Sequence, residues 1–182
     1  MLDHIKLEAL KDSHASSLYG VLKDDKIYTF IPEGPPESLE VLMQKFSRLA
    51  KGAPEHIPEV WLNYAIYSTE LNQYIGTTQA TISKDTRKAT IAYILSPMHW
   101  GKGFAKQAVS LMMDSIISEY DVKEFDAYID TRNSKSVSLV KGLGFDQINY
   151  IKNADFFKGH DSHEFVYSIK SEQWERQKDK FL

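Results

Sequence analysis

The residues of this 182-residue chain most suggestive of chemistry are Gly101 and Gly103, which flank Lys102 at the start of a predicted helix. A strand-like segment precedes them and ends at Pro97. The first turn of a helix carries unpaired N–H groups and a partial positive charge. Glycines there let an anion approach the backbone closely, and Lys102 adds a positive charge. The spacing predicts a cradle for a pyrophosphate group, although the same glycine pair also fits a simple tight turn.

Two other phosphate-binding motifs can be compared with this stretch. The dinucleotide fingerprint needs a third glycine at position 106, where the chain has Lys106. A P-loop needs Gly-Lys-Ser/Thr four residues after a first glycine, and the sequence contains no such segment. Both motifs are therefore excluded.

A second group of polar residues lies thirty residues after Gly103. Asn133 follows a predicted strand that ends at Asp130, and it can cap a short helix that contains Ser136. The segment Gly-Leu-Gly-Phe at 142–145 ends that helix. Taken alone, Asn133 also fits simple helix capping, and Ser136 fits an exposed helix position.

Hydrophobic periodicity predicts the elements that hold these residues. The predicted order is a strand at 4–10, a helix from Asp12 or Ser13 to about Asp24, a proline-rich loop, a helix after Ser38, strands at 60–68, 74–82 and 88–95, a helix at 103–119, a strand at 123–130, a helix at about 134–142, and strands near 145–151 and 163–170. The three middle strands have short connections, which predicts an antiparallel meander. This order predicts one mixed α/β (α+β) domain over residues 1–182.

Composition excludes several classes of protein. The chain has no cysteine, which rules out disulfides, thiolate metal ligands and an acyl-cysteine intermediate. A formal net charge of -3, without a cluster of Lys and Arg, gives no indication of nucleic-acid binding. No secretory signal and no apolar run of membrane-spanning length occur, so we expect a cytoplasmic protein without a membrane partner. His160 and His163 are too few ligands to indicate a metal site, and a surface loop before the last strand is the simpler interpretation.

The glycine and asparagine stretches together resemble the GNAT superfamily of acetyl-CoA-dependent N-acetyltransferases. The family's pyrophosphate motif, Gln/Arg-x-x-Gly-x-Gly/Ala, is matched at 100–105 by Trp-Gly-Lys-Gly-Phe-Ala. Its second signature, Asn-x-x-Ser/Ala followed by Leu-Gly-Phe, is matched by Asn133, Ser136 and 143–145. The order of elements agrees from residue 4 to about 170. The ending HEFVYSIKSEQW is also similar to the branch that contains the ribosomal-protein alanine N-acetyltransferases.

The resemblance implies a GNAT-like fold, with a central mixed, mostly antiparallel sheet flanked by helices. A splayed strand–helix junction in this fold binds acyl-CoA, so acetyl-CoA is the implied acyl donor. The implied cofactor-binding residues are the backbone N–H groups of Ile94, Leu95 and Ser96, the motif residues Trp100, Gly101, Lys102, Gly103, Phe104 and Ala105, and Asn133 at the pantetheine arm.

The resemblance also implies that the amine attacks the thioester directly, without an acyl-enzyme. Trp100 stands where the family has Gln or Arg, so backbone N–H groups are expected to supply most of the pyrophosphate binding. Val140 occupies the place of a tyrosine that many members use as general acid, which leaves Ser136 as the donor to the departing thiolate. Glu59 and Tyr93 are the candidates for the base.

The expected acceptor is a protein N-terminal α-amine or a small primary amine. In the resembled fold the proline-rich loop overhangs the acceptor site, so Tyr28, Phe30 and Ile31 either line that site or anchor the loop. A catalytically silent acyl-CoA-binding regulatory module is the alternative function. Both a monomer and a homodimer are compatible with the sequence.

Overall fold

The structure, a computed structural model, describes residues 4–180. Its strands are β1 (Ile5–Ala9), β2 (Glu59–Ser68), β3 (Gln73–Ser83), β4 (Lys88–Leu95), β5 (Glu124–Asp130), β6 (Asp146–Phe157) and β7 (His160–Lys170). Its α-helices are α1 (His14–Leu22), α2 (Leu39–Ala50), α3 (Phe104–Tyr120), α4 (Ser134–Gly142) and α5 (Ser171–Gln177). Short 3₁₀ helices occur at Asp25–Tyr28, Pro97–His99 and Lys178–Lys180. The strands form one sheet in the order β1-β2-β3-β4-β5-β7-β6, in which only β4 and β5 run parallel.

The predicted order of elements is confirmed, including the antiparallel meander of β2, β3 and β4. The largest difference is in the last hairpin, where β6 continues to Phe157 and β7 begins at His160. Lys158 and Gly159 connect them with φ angles of 52° and 79°, and a two-residue type I′ turn requires positive φ at both positions. Because such a turn matches the strand twist, both strands extend up to it. His160 and His163 therefore lie in a strand, and their assignment to a surface loop is wrong.

Helices cover both faces of the sheet. On one face α3, α4 and α5 contribute Met112, Val140 and Trp174 to the largest buried cluster. On the other face α1 and α2 pack over the first strands, where Leu18 and Phe46 are buried. Full burial of one such large apolar side chain stabilises the fold by roughly 1.5–3 kcal/mol. These two layers fix the sheet that positions the polar residues.

β4 and β5 pair over three residues only, and the last pair is Thr90 with Asp126. β4 then follows β3 as far as Leu95, whereas β5 follows β7 as far as Asp130. The two strands therefore separate, and a wedge, which we call the β4–β5 opening, lies between their C-terminal halves. This is the splayed junction that the family resemblance implies.

Gly76 of β3 determines the course of β4 beside this opening. A Cβ on Gly76 would lie 2.0 Å from the carbonyl oxygen of Ile94 and 2.9 Å from the α-carbon of Leu95. Both contacts are with backbone, which cannot rotate away as a side chain can. Only glycine therefore lets the end of β4 pass so close to β3.

Replacing Gly76 with alanine is expected to lower the free energy of unfolding by about 1–3 kcal/mol, because the backbone of β4 has to shift. Urea denaturation measures the change. Gly20→Ala is the control, since a Cβ at this position inside α1 meets no atom within 4 Å. That control should stabilise the protein by about 0.5–1 kcal/mol through helix propensity. Unchanged stability of Gly76→Ala would contradict the close approach of β3 and β4.

Candidate active site

The edge of β4 that faces the opening presents backbone N–H groups. In an antiparallel pair these groups point alternately toward the partner strand and away from it. The N–H of Ser96 donates to the carbonyl of Ile75 (2.9 Å), so the N–H of Ile94, two residues earlier, also points toward β3. The N–H groups of Leu95 and Tyr93 consequently point into the opening. Of the three predicted backbone donors, Leu95 therefore directs its N–H into the opening, whereas those of Ile94 and Ser96 are directed toward β3, contrary to the prediction.

The predicted glycine cradle lies at the mouth of the opening. Gly101 and Gly103 have φ angles of 75° and 84°, in the left-handed region that favours glycine, and Gly103 is the N-cap of α3. A Cβ on either residue would meet no atom within 4 Å, so the space beside both α-carbons is open. No acidic residue lies in the first turn of α3. An open loop with Lys102 at its centre and a positive helix end behind it suits an anion.

The remaining residues of the motif serve through their backbone or hold the loop in place. Phe104 is buried, and its ring packs edge-on against His99 with centroids 6.0 Å apart. Burial, with the positive charge of Lys102, lowers the pKa of His99, so the imidazole is neutral at pH 7. The first helical hydrogen bond of α3 runs from Gln107 to Gly103, which leaves the N–H groups of Phe104 and Ala105 outside the helical ladder.

Trp100 links the two walls of the β4–β5 opening, which are the end of β4 with the loop before α3 on one side and the start of α4 on the other. Its indole Nε1 donates to the carbonyl oxygen of Leu95 (3.0 Å), so the ring is fixed to the end of β4. The ammonium of Lys135, on α4, lies 4.0 Å from the centroid of this ring. Trp100 therefore connects the loop before α3 to α4.

The start of α4 forms the second wall. The Oδ1 atom of Asn133 accepts from the N–H of Ser136 (3.2 Å), so Asn133 is the helix cap, as predicted. The hydroxyl of Tyr93 donates to the carbonyl of Ser136 (3.3 Å) from across the opening. Asn133, Ser136 and Tyr93 are thus brought together. Val140, one turn beyond Ser136, is fully buried in the core.

The burial of Tyr93 does not favour its predicted role as a base. Burial raises the pKa of Tyr93 to about 12, compared with an ordinary value of 10. The phenol is therefore protonated at neutral pH and can donate a hydrogen bond but cannot accept a proton. Its structural contribution is the bond from β4 to α4.

The structure also separates Glu59 from the mouth of the opening. Glu59 pairs with Ser83, whereas Leu95 pairs with Gly76, and these two partners are seven residues apart on β3. At about 3.3 Å per residue this is roughly 23 Å, and β3 stands between Glu59 and β4. The Glu59 carboxylate instead accepts from the indole of Trp61 (2.6 Å). Its assignment to the reacting atoms is wrong because strand register places it elsewhere.

Two carboxylates that the sequence interpretation missed lie on β5 and β7. Asp126 belongs to the last pair before the strands separate; it is buried, and its Oδ1 has no hydrogen-bond partner among residues 4–180. Glu164 pairs with Asp130 at the far end of β5. Burial, with the negative charges of Asp155 and Asp130, raises the pKa of Glu164. Acidic residues at alternate positions of β5, including Asp126, indicate that one face of this strand is acidic, so the sequence could have identified Asp126. The position of Glu164 could not be identified in this way, because it depends on the pairing of β7 with β5.

The proline-rich loop reaches the same end of β5. Arg132 forms a bidentate ion pair with Asp130 (2.9 and 2.7 Å), and its guanidinium lies 5.9 Å from the ring of Phe30. The ammonium of Lys158, in the β6–β7 turn, donates to three backbone carbonyls of the loop, those of Tyr28, Ile31 and Glu33. The loop is thus held over the acidic end of β5 and β7.

Two structural features are absent from residues 4–180. No group of three or more His, Cys, Asp or Glu side chains there could hold a metal ion. Within the same residues, no helix is both long and apolar enough to cross a membrane.

Comparison with known proteins gives one family. The family model described as an acetyltransferase (GNAT) domain matches residues 4–146. The chain is 26% identical over 112 residues, 61% of its length, to the uncharacterized N-acetyltransferase p20 of Bacillus licheniformis, and the match spans 63% of that relative. It is 23% identical over 168 residues to the uncharacterized N-acetyltransferase YoaA of Bacillus subtilis strain 168, covering 92% of this chain and 93% of the relative.

Solved structures agree in fold. A ribosomal-protein-S5-alanine acetyltransferase from Vibrio fischeri superposes with a TM-score of 0.81 at 18% identity, covering 96% of this chain and 97% of that one. A spermidine N-acetyltransferase from Vibrio cholerae, in complex with CoA and spermine, gives a TM-score of 0.79 at 19% identity, with 94% and 98% covered.

The raised pKa of Tyr93 can be tested by ultraviolet titration. The difference in phenolate absorbance between the wild type and Tyr93→Phe should stay near zero as the pH rises past about 10, where an ordinary tyrosine is half ionised. Phenolate should appear only near pH 12, because burial disfavours the charged form. Circular dichroism at each pH shows whether both proteins are still folded. A difference signal with a midpoint near pH 10 would contradict the burial of the phenol.

Proposed function

The chain belongs to the GNAT acetyltransferase family, and on that premise we propose that it transfers the acetyl group of acetyl-CoA directly to a primary amine. The observation that carries the proposal is the β4–β5 opening, which ends at an open glycine loop before α3. The loop suits the diphosphate of acyl-CoA, because the N–H groups of a first helical turn bind anions. The opening between the Leu95 N–H and Ser136 suits the pantetheine arm.

Acetyl-CoA supplies an acetyl group as a thioester. In the proposed reaction the amine nitrogen bonds to the acetyl carbon, the carbon–sulfur bond breaks, the nitrogen loses a proton and the thiolate gains one. The N–H of Leu95 stabilises the negative charge that develops on the thioester oxygen. The hydroxyl of Ser136 donates a proton to the thiolate and regains one from solvent water, while a carboxylate base takes the proton that the amine nitrogen loses. No cysteine is present to form an acyl-enzyme, which agrees with direct transfer.

We propose a protein N-terminal α-amine or a small primary amine as acceptor. At pH 7 deprotonation costs about 1 kcal/mol for an α-amine with a pKa near 7.8, and about 4.6 kcal/mol for a lysine with a pKa near 10.4. Tyr93 stays protonated and Glu59 lies elsewhere, which favours an acceptor that needs only a weak base. We assign the role of this base, which accepts the proton of the amine, to the carboxylate of Glu164, whose pKa is raised by burial.

A regulatory module that binds acyl-CoA without turnover is the second candidate. The observation that favours it is Val140, which is fully buried and offers no proton donor at the position where the family resemblance implies a tyrosine. The two candidates differ in thiol release, because a regulatory module binds the donor but does not cleave it.

Thiol release from acetyl-CoA should be measured with a panel of amines. The panel contains a peptide with a free N-terminus and no lysine, the same peptide with a blocked N-terminus, a blocked peptide with one lysine, and spermidine. We expect turnover with the free α-amine and none with the blocked lysine peptide or with spermidine, whose primary amines are about as basic as that of lysine. Turnover with spermidine alone would instead assign a small amine as the acceptor. Acetyl-CoA binding without amine-dependent thiol release would contradict catalysis and support the regulatory module.

In the same assay, Ser136→Ala should lower kcat about 100-fold, the lower end of the usual contribution of a general acid. Ser138→Ala is the matched control, because it removes the same hydroxyl from an exposed position of the same helix. Equal rates for both variants and the wild type would show that Ser136 does not protonate the thiolate.

A further inference from the structure

The contact between Lys135 and Trp100 joins the two walls of the opening at the glycine cradle. Trp100 directly precedes Gly101, and the Lys135 ammonium lies 4.0 Å from the centroid of its ring. The only polar atom of the indole is a donor, and it is bonded to the carbonyl of Leu95 (3.0 Å). Trp100 therefore has no donor left for an anion and instead presents its ring face to α4.

From this geometry we infer that Lys135, held in place by the Trp100 ring, is a diphosphate-binding residue that acts on acyl-CoA from α4. The inference rests on the proposed function, since it concerns the same opening. It adds a charge from the wall opposite the glycine cradle, and it gives the indole a positioning role.

The electrostatic surroundings of Lys135 favour an anionic ligand. Lys135 is the second residue of α4, where the positive end of the helix disfavours a cation, and the first turn contains no acidic residue. The first turn of α3 also lacks an acidic residue. Within residues 4–180 no ion pair joins Lys135 to a carboxylate. Two positive helix ends and two lysines, Lys102 and Lys135, thus flank one space without a neutralising partner.

Lys141 provides a matched comparison within the same helix. Its ammonium also lies near an aromatic ring, 5.9 Å from the centroid of Tyr167. It is in the last turn of α4, however, where the helix end favours a cation. Lys135 and Lys141 are both exposed, so their replacement by glutamine should leave the fold intact.

Calorimetric titration can isolate the phosphate contact from catalysis. The wild type, Lys135→Gln and Lys141→Gln are titrated with CoA, with dephospho-CoA, which keeps the diphosphate but lacks the 3′-phosphate, and with pantetheine, which has no phosphate. Lys135→Gln should bind CoA and dephospho-CoA about tenfold more weakly than the wild type does, because one charge-assisted contact is lost. Pantetheine binding by Lys135→Gln, and all binding by Lys141→Gln, should match the wild type. Lys135→Arg should restore the affinity, and Trp100→Leu should reproduce the loss for both phosphorylated ligands.

The other outcomes each overturn a specific statement. Equal CoA affinity of Lys135→Gln and the wild type would refute the inference while leaving the proposed function in place. A loss for CoA but not for dephospho-CoA would move the contact to the 3′-phosphate and refute the diphosphate assignment. A loss that includes pantetheine would mean that Lys135 only maintains the shape of the opening. No CoA binding by the folded wild type would refute the proposed function itself.

Discussion

β4 and β5 separate after only three parallel pairs, and the polar residues of the candidate site are arranged around the opening that this separation leaves. A continuous sheet would bond the inner edge of β4 to β5 and leave no backbone donor for a ligand. Gly76 permits the departure, because the backbone of β4 passes through the space that a side chain would fill. The helices α3 and α4, which follow β4 and β5 in the chain, pack in the buried core on one face of the sheet. The N-terminal ends of α3 and α4 therefore lie on the two sides of the opening.

Charge is distributed unequally around this opening. The cradle end combines two helix N-termini with Lys102 and Lys135, and the first turns of both helices lack acidic residues. Strands β5 and β7 instead carry Asp126 and Glu164, and the loop that Lys158 holds reaches the end where Glu164 pairs with Asp130. In the proposed function, the anionic donor is attracted to the lysine side of the opening and the cationic acceptor to the acidic side.

Local pattern predicted much of the fold, the glycine loop before α3 and the cap of α4, because helix caps and glycine turns are encoded over a few residues. Asn133 as a cap and the left-handed Gly103 belong to this class. Features of the site that depend on strand register could not be predicted from the sequence. The engaged N–H of Ser96 and the distance of Glu59 follow from strand pairing, which a single sequence does not specify. The stacking of Lys135 on Trp100 joins residues on different elements, so no local spacing could indicate it.

Hydrogen exchange of backbone amides with and without saturating CoA tests whether the β4–β5 opening binds acyl-CoA. We expect slower exchange in peptides that cover Leu95, the 101–105 loop and the start of α4, because these N–H groups face the opening or belong to the first turn of a helix. Peptides that cover Glu59 and the start of β2 should exchange at the same rate in both samples. Protection confined to other parts of the chain, or no protection at saturating CoA, would contradict the assignment of this opening as the cofactor site.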